Sequence, residues 1–121
     1  MVLVVDDDSR VRSYMRTILQ SAGMEVLEAR DGVEALEIYS VSKSRIDLVV
    51  TDIRMPRMSG TDLASSIRSE TPSVPLILVS GERASADMID PRNGVLFIEK
   101  PFAPKVLLEA ASQFLDWSVR I

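Results

Sequence analysis

At 121 residues, 46% of them apolar and 26% charged, the chain has the composition of one globular domain over residues 1–121. It contains no cysteine and no histidine, which excludes a disulfide scaffold, a thiolate zinc centre, a cysteine nucleophile and a Ser-His-Asp arrangement. A formal charge of −4 argues against direct nucleic acid binding by this chain.

The elements follow in order. Val2–Val5 is a continuous apolar run, predicting a strand that ends in Asp6-Asp7-Asp8. Val11, Met15, Ile18, Leu19 and Ala22 form the apolar stripe of a first helix, with Ser9 as expected N-cap and Gly23 as stop. Glu25–Glu28 alternates, which suits an edge strand. Asp31 is placed to cap a second helix that turns Ala35, Leu36 and Tyr39 inward. Ile46–Thr51 reads as a strand ending in Asp52, and a third helix starts near Ser59-Gly60 with Leu63, Ala64 and Ile67 inward. Pro75–Val79 is a strand followed by Ser80-Gly81. A short fourth helix over Glu82 to Ile89 should stop at Asp90-Pro91. Val95–Ile98 is the last strand, followed by Glu99-Lys100-Pro101 and a helix from Ala103 to Trp117.

Strands alternating with helices imply right-handed βαβ crossovers, hence an α/β fold with a doubly wound parallel sheet covered on both faces. In such folds ligands bind outside the carboxyl ends of the strands. Those ends carry Asp6, Asp7 and Asp52, the hydroxyl of Ser80 and the amine of Lys100, one of only three lysines. The edge strand contributes nothing obvious. Clustered carboxylates raise one another's pKa unless a cation intervenes. An all-oxygen donor set selects a hard cation, Mg2+ or Mn2+. An ion, a lysine and a hydroxyl around one aspartate suit phosphoryl chemistry, with the carboxylate as nucleophile.

These stretches resemble the receiver domain of two-component response regulators. The matching pieces are Val2-Leu-Val-Val-Asp-Asp-Asp8, Asp31-Gly-Val-Glu-Ala-Leu36, Asp47-Leu-Val-Val-Thr-Asp-Ile-Arg-Met-Pro-Arg-Met-Ser-Gly60, Val79-Ser80 and Lys100-Pro-Phe102. They run through the whole chain in the family's order. The resemblance implies a flavodoxin-like (βα)5 domain with sheet order 2-1-3-4-5. It implies Asp52 as phosphoacceptor, taking its phosphoryl group from a sensor histidine kinase or a histidine phosphotransfer protein. Asp6, Asp7, Asp52 and the backbone carbonyl of Arg54 would hold Mg2+, and Lys100 and Ser80 would contact the phosphoryl oxygens. Phe97 matches a switch position coupled to Ser80, and the Lys100-Pro101 bond is cis in the family. Such a domain catalyses its own phosphorylation and dephosphorylation only.

Arg54 and Glu82 are expected to face each other across the site and tune the phosphoryl lifetime through a partly exposed ion pair. Asp8 is read as a solvated or helix-capping residue outside the site, and Gly60 as a point of close approach or unusual φ. The fourth helix is shorter than is usual in the family, which leaves the mode of partner contact and dimerisation open. The Ser80-Gly81 pair and the short fourth helix look similar to receivers fused to hybrid sensor kinases, so a stand-alone receiver and a piece of a larger regulator both remain open. No targeting or membrane segment is visible, and a cytoplasmic protein is expected. Two rivals remain. One is a phosphatase resembling the haloacid dehalogenase type, in which Asp6 would be the nucleophile. The other is an unphosphorylated interaction module.

Overall fold

Valine, leucine and isoleucine fill the strands in unbroken runs, and the reason is visible in how their side chains divide. In β1 (Val2–Val5), Val2 and Val4 enter one apolar cluster while Leu3 and Val5 enter another. β3 (Leu48–Asp52) sends Leu48 and Val50 to the first cluster and Val49 to the second; β4 (Leu76–Ser80) does the same with Ile77 and Val79 against Leu76. Every position of these three strands is buried. A strand buried on both faces has no use for polar alternation.

The computed structural model describes residues 1–81 and 93–115. Its five strands are all parallel, with β2 (Val26–Ala29) at one edge and β5 (Val95–Glu99) at the other, in the order β2-β1-β3-β4-β5. This is the expected flavodoxin-like order. α1 (Ser9–Ser21) and α4 (Pro104–Ser112) cover one face, through Met15, Ile18, Leu19, Leu107, Ala110 and Ala111. α2 (Gly32–Ser42) and α3 (Gly60–Glu70) cover the other, through Ala35, Tyr39, Leu63 and Ile67. Each fully buried leucine of this kind contributes about 1.5–3 kcal/mol.

Local signals set the helix starts. Asp31 and Ser59 cap α2 and α3, accepting from the N–H groups of Glu34 and Asp62. The cap of α1 differs from expectation: it is Asp8, whose carboxylate accepts from Arg10 N, and Ser9 is already the first helical residue. Asp8 is extended at φ −84° and ψ 112°, the conformation a cap requires, and a charged acceptor makes the stronger bond. Gly23 follows α1 at φ 88°, in the left-handed region expected of a helix stop. α4 begins with Pro104 and ends at Ser112, shorter than the predicted span. Leu115 beyond it is nevertheless buried in the first cluster. Trp117, the predicted fourth helix and Glu82 lie outside the described residues.

Candidate active site at the carboxyl ends of the strands

Register brings the polar strand ends together. Val5 pairs with Thr51, so Asp6 and Asp52 leave neighbouring strands side by side. Val79 pairs with Asp52, and Ser80 with Glu99, so Ser80 ends the next strand and Lys100 directly follows the one beyond it. The backbone N–H of Lys100 donates to the Ser80 carbonyl at 2.7 Å, tying the last two strand ends together. The Lys100-Pro101 peptide is cis, as the family resemblance implied.

The centre is a lysine between two buried carboxylates. Lys100 Nζ lies 3.1 Å from Asp6 Oδ2 and 3.3 Å from Asp52 Oδ1. Asp6 is fully buried and Asp52 nearly so, while Asp7 is exposed at the rim. One carboxylate oxygen from each of Asp6, Asp7 and Asp52 lies within 4.8 Å of the other two. Asp8 stays outside this set. It contributes instead its backbone N–H, which donates to Asp6 Oδ1 at 2.9 Å.

The electrostatics describe a site with more negative charge than it can comfortably hold. Burial, the largest influence, pushes the Asp52 carboxyl above its ordinary 3.8, and the Asp6 charge adds to it; Lys100 opposes both. Burial also raises Asp6, against the Asp8 N–H and Lys100. Burial alone would pull the Lys100 ammonium down, but the Asp6 and Asp52 carboxylates outweigh it and hold its pKa above the usual value. An oxygen-only cluster of this spacing with residual negative charge fits a small hard cation. It does not fit zinc or copper, which favour nitrogen and sulfur donors.

Raised carboxyl pKa values have a measurable consequence. The folded state holds protons on Asp6 and Asp52 more tightly than the unfolded chain. Their contribution to stability is therefore most favourable below the ordinary carboxylate pKa and declines as pH rises through the folded values. In EDTA at pH 7, Asp52→Asn should raise the melting temperature by about 3–6 °C, equivalent to ~1 kcal/mol for a domain of this size. The gain should shrink at pH 4, and scanning calorimetry at the two pH values checks both.

The loop after β3 is shaped from both ends. Gly60 N donates to the Ile53 carbonyl at 2.7 Å, closing residues 53–60 into a compact bend. A β-carbon on Gly60 would stand 2.0 Å from the Asp52 carbonyl oxygen, so close approach, not an unusual φ, is what glycine supplies here. At the bend's tip Arg57 adopts φ 69°, and its guanidinium bonds the Asp31 carboxylate at 2.6 Å. The Glu34 N–H first, and Arg57 second, hold Asp31 below its ordinary pKa. Arg54 is exposed on this bend; its partner in the expected tuning pair, Glu82, is not described. Phe97 is half-buried in β5 opposite Leu78, on the sheet face shared with Val95 and away from the cluster that takes Ile98.

Residues that sequence reasoning missed lie on the supposedly idle edge strand and on α1. Glu28 of β2 accepts from Arg12 Nε at 3.2 Å and Arg16 Nη1 at 2.9 Å, and Arg12 Nη1 donates to the Asp6 carbonyl at 2.8 Å. Two arginines four apart on α1 opposite the glutamate of an edge strand were the only available signal.

Comparison with known proteins agrees with this architecture. A family profile described as "Response regulator receiver domain" matches residues 2–112. The sensor kinase CckA of Brucella abortus is 38% identical over 117 residues, which is 95% of this chain but 12% of that one. The chain therefore spans only a small part of that relative. The chemotaxis protein CheY1 of Helicobacter pylori is 39% identical over 113 residues, covering 89% of this chain and 90% of that one. Among solved structures, the receiver domain of the hybrid histidine kinase CckA superimposes with a TM-score of 0.82 at 36% identity, covering 95% of this chain and 98% of that one. The Thermotoga maritima response regulator TrrA, solved in complex with Mg2+-BeF, does so with a TM-score of 0.82 at 30% identity, covering 94% and 97%.

Proposed function

The chain belongs to the response regulator receiver family of two-component systems, and from that premise we propose that Asp52 is its phosphoacceptor, with residues 1–121 acting as one receiver unit. Receiver domains are signalling domains, not classical enzymes. They bind Mg2+ at an acidic pocket and receive phosphoryl groups from histidine kinases or phosphotransfer proteins. The observation that carries the assignment is Lys100 Nζ held between Asp6 and Asp52, with Asp7 completing the carboxylate cluster.

The proposed transfer is a single displacement. An Asp52 carboxylate oxygen forms the new O–P bond while the N–P bond of the donor phosphohistidine breaks and the imidazole leaves with the bonding pair. Asp6, Asp7, Asp52 and the Arg54 carbonyl would hold Mg2+, or Mn2+, which offsets charge on the phosphoryl oxygens when bound. Lys100 sits where it can do the same from the protein side, an arrangement that favours the transition state over the resting site. Ser80, at the end of β4, is the proposed donor to a second phosphoryl oxygen. Phe97, on the adjacent strand, is the proposed switch residue that answers its movement, and Arg54 with Glu82 would tune hydrolysis. In the proposed hydrolysis of the phosphoaspartate, a water oxygen forms the new O–P bond while the Asp52 O–P bond breaks, returning the Asp52 carboxylate and releasing inorganic phosphate. We place this exchange in the cytoplasm; among the described residues no helix is long and apolar enough to cross a membrane.

Incubation with acetyl phosphate and Mg2+ tests the reading. Intact mass spectrometry should show one added phosphoryl group on the wild-type chain, none in EDTA and none on Asp52→Asn. An adduct that persists in Asp52→Asn contradicts the assignment. A folded wild-type chain that takes up neither the phosphoryl group nor beryllofluoride would instead be an interaction module alone.

A further inference from the structure

The guanidinium of Arg12 joins two parts of the molecule that the phosphoacceptor chemistry does not otherwise connect. Nη1 donates to the backbone carbonyl of Asp6, and Nε donates to Glu28 on the edge strand. The Arg12 side chain is 16% exposed and that of Glu28 29%, so these are partly buried, charge-assisted bonds. Glu28 is itself held from the other side by Arg16. The carbonyl that Arg12 grips belongs to the peptide between Asp6 and Asp7, and a peptide unit is planar. Fixing that carbonyl fixes the plane, and with it the direction in which the chain enters Asp7.

The rest of the acidic turn is pinned around this point. The Asp6 N–H donates to the Ala29 carbonyl at 3.2 Å, Oδ1 accepts from Asp8 N and Oδ2 meets Lys100. Asp8 caps α1, and its carbonyl accepts from Arg12 N at 2.9 Å. Asp7 alone is exposed and lies between two restrained neighbours. Where its carboxylate stands relative to Asp6 and Asp52 therefore depends on the peptide that Arg12 holds.

We infer that Arg12, aimed by Glu28, is a positioning residue that sets cation affinity at the acidic cluster without touching the ion. The inference rests on the reading of that cluster as a Mg2+ site. Arg12 achieves this through geometry and not through charge, because a cation placed there for its charge alone would repel Mg2+. The planar guanidinium presents Nε and Nη1 to the carboxylate and the carbonyl in a fixed mutual geometry, whereas a lysine carries all its donors on one freely rotating nitrogen.

Titration calorimetry with MgCl2 on the full chain, run beside thermal unfolding in EDTA, tests this. Arg12→Gln and Arg12→Lys should both weaken Mg2+ binding by about tenfold, the usual scale for residues that orient metal ligands. Glu28→Gln, which keeps the shape of the contact, should weaken it by a few-fold in the same direction. The double variant Arg12→Lys with Glu28→Gln should be no worse than Arg12→Lys, because the two act through one contact. Variants that melt earlier but bind Mg2+ within twofold of wild type would overturn the inference and leave Arg12 a purely structural residue. Tighter binding by Arg12→Gln with no change in Arg12→Lys would overturn it in favour of simple charge repulsion. Absence of Mg2+ binding by the wild-type chain would overturn the reading of the cluster itself, and this inference with it.

Discussion

Lys100→Met should lower the rate of phosphorylation by acetyl phosphate about 100-fold while leaving Mg2+ binding intact or tighter. On the proposed reading the two effects separate, because Lys100 plays opposite parts toward the two ligands. Its ammonium lies within 3.3 Å of both Asp6 and Asp52, so in the resting site it competes with a divalent cation for the same carboxylates. During transfer, negative charge moves onto oxygens that a fixed, partly buried cation can meet without reorganising. Removing one such preorganised group typically costs 100- to 1,000-fold, about 2.7–4 kcal/mol of transition-state stabilisation. Single-turnover rates at saturating Mg2+ isolate this effect from metal affinity. A rate within threefold of wild type would show that the lysine serves only to neutralise buried carboxylates in the folded chain.

Gly60→Ala should destabilise the fold by about 3 kcal/mol or more, in the range of severe overpacking. The added carbon would meet the Asp52 carbonyl oxygen at 2.0 Å, the Asp52 carbonyl carbon at 2.9 Å and Ile53 Cα at 2.9 Å. All three are backbone atoms at the end of a buried central strand, so no side-chain rotation relieves the clash. Either the start of α3 or the end of β3 must move, and β3 carries Asp52. Urea unfolding measures the loss, which is a large share of the 5–15 kcal/mol typical of a domain. Gly81→Ala is the control. Among the described residues nothing lies within 4 Å of its β-carbon, and its stability should stay within about 0.5 kcal/mol of wild type. Equal tolerance at the two positions would mean that the bend after β3 is far softer than its contacts imply.

What was legible in the sequence, and what was not, follows from the range of each interaction. The buried strands announce themselves because burial on both faces leaves only Val, Leu and Ile. Their ends announce themselves because Asp6, Asp52 and Ser80 interrupt those runs abruptly. The α2 and α3 caps at Asp31 and Ser59 were readable because capping is local; the choice between Asp8 and Ser9 was not, since both can cap and only backbone geometry decides. The sheet order came from family resemblance, because apolar runs do not say which strand lies beside which. The same blindness hid the Arg12–Glu28 tie, which exists only once β2 is placed beside β1 with α1 packed across them. It also hid the pairing of Arg57 with Asp31, which spans 26 residues and depends on a left-handed backbone at an arginine. Thus the groups proposed to react were visible in sequence, and the contacts that aim them were not.

The central claim is that the chemistry converges on one carboxylate among several within a few ångströms. Phosphorylation with acetyl phosphate and Mg2+, followed by borohydride reduction and peptide mapping, identifies that carboxylate directly, because reduction converts an aspartyl phosphate to homoserine. The account predicts homoserine at position 52 and unmodified aspartate at positions 6 and 7. Homoserine at position 6, the nucleophile expected of a phosphatase of the haloacid dehalogenase type, would contradict it.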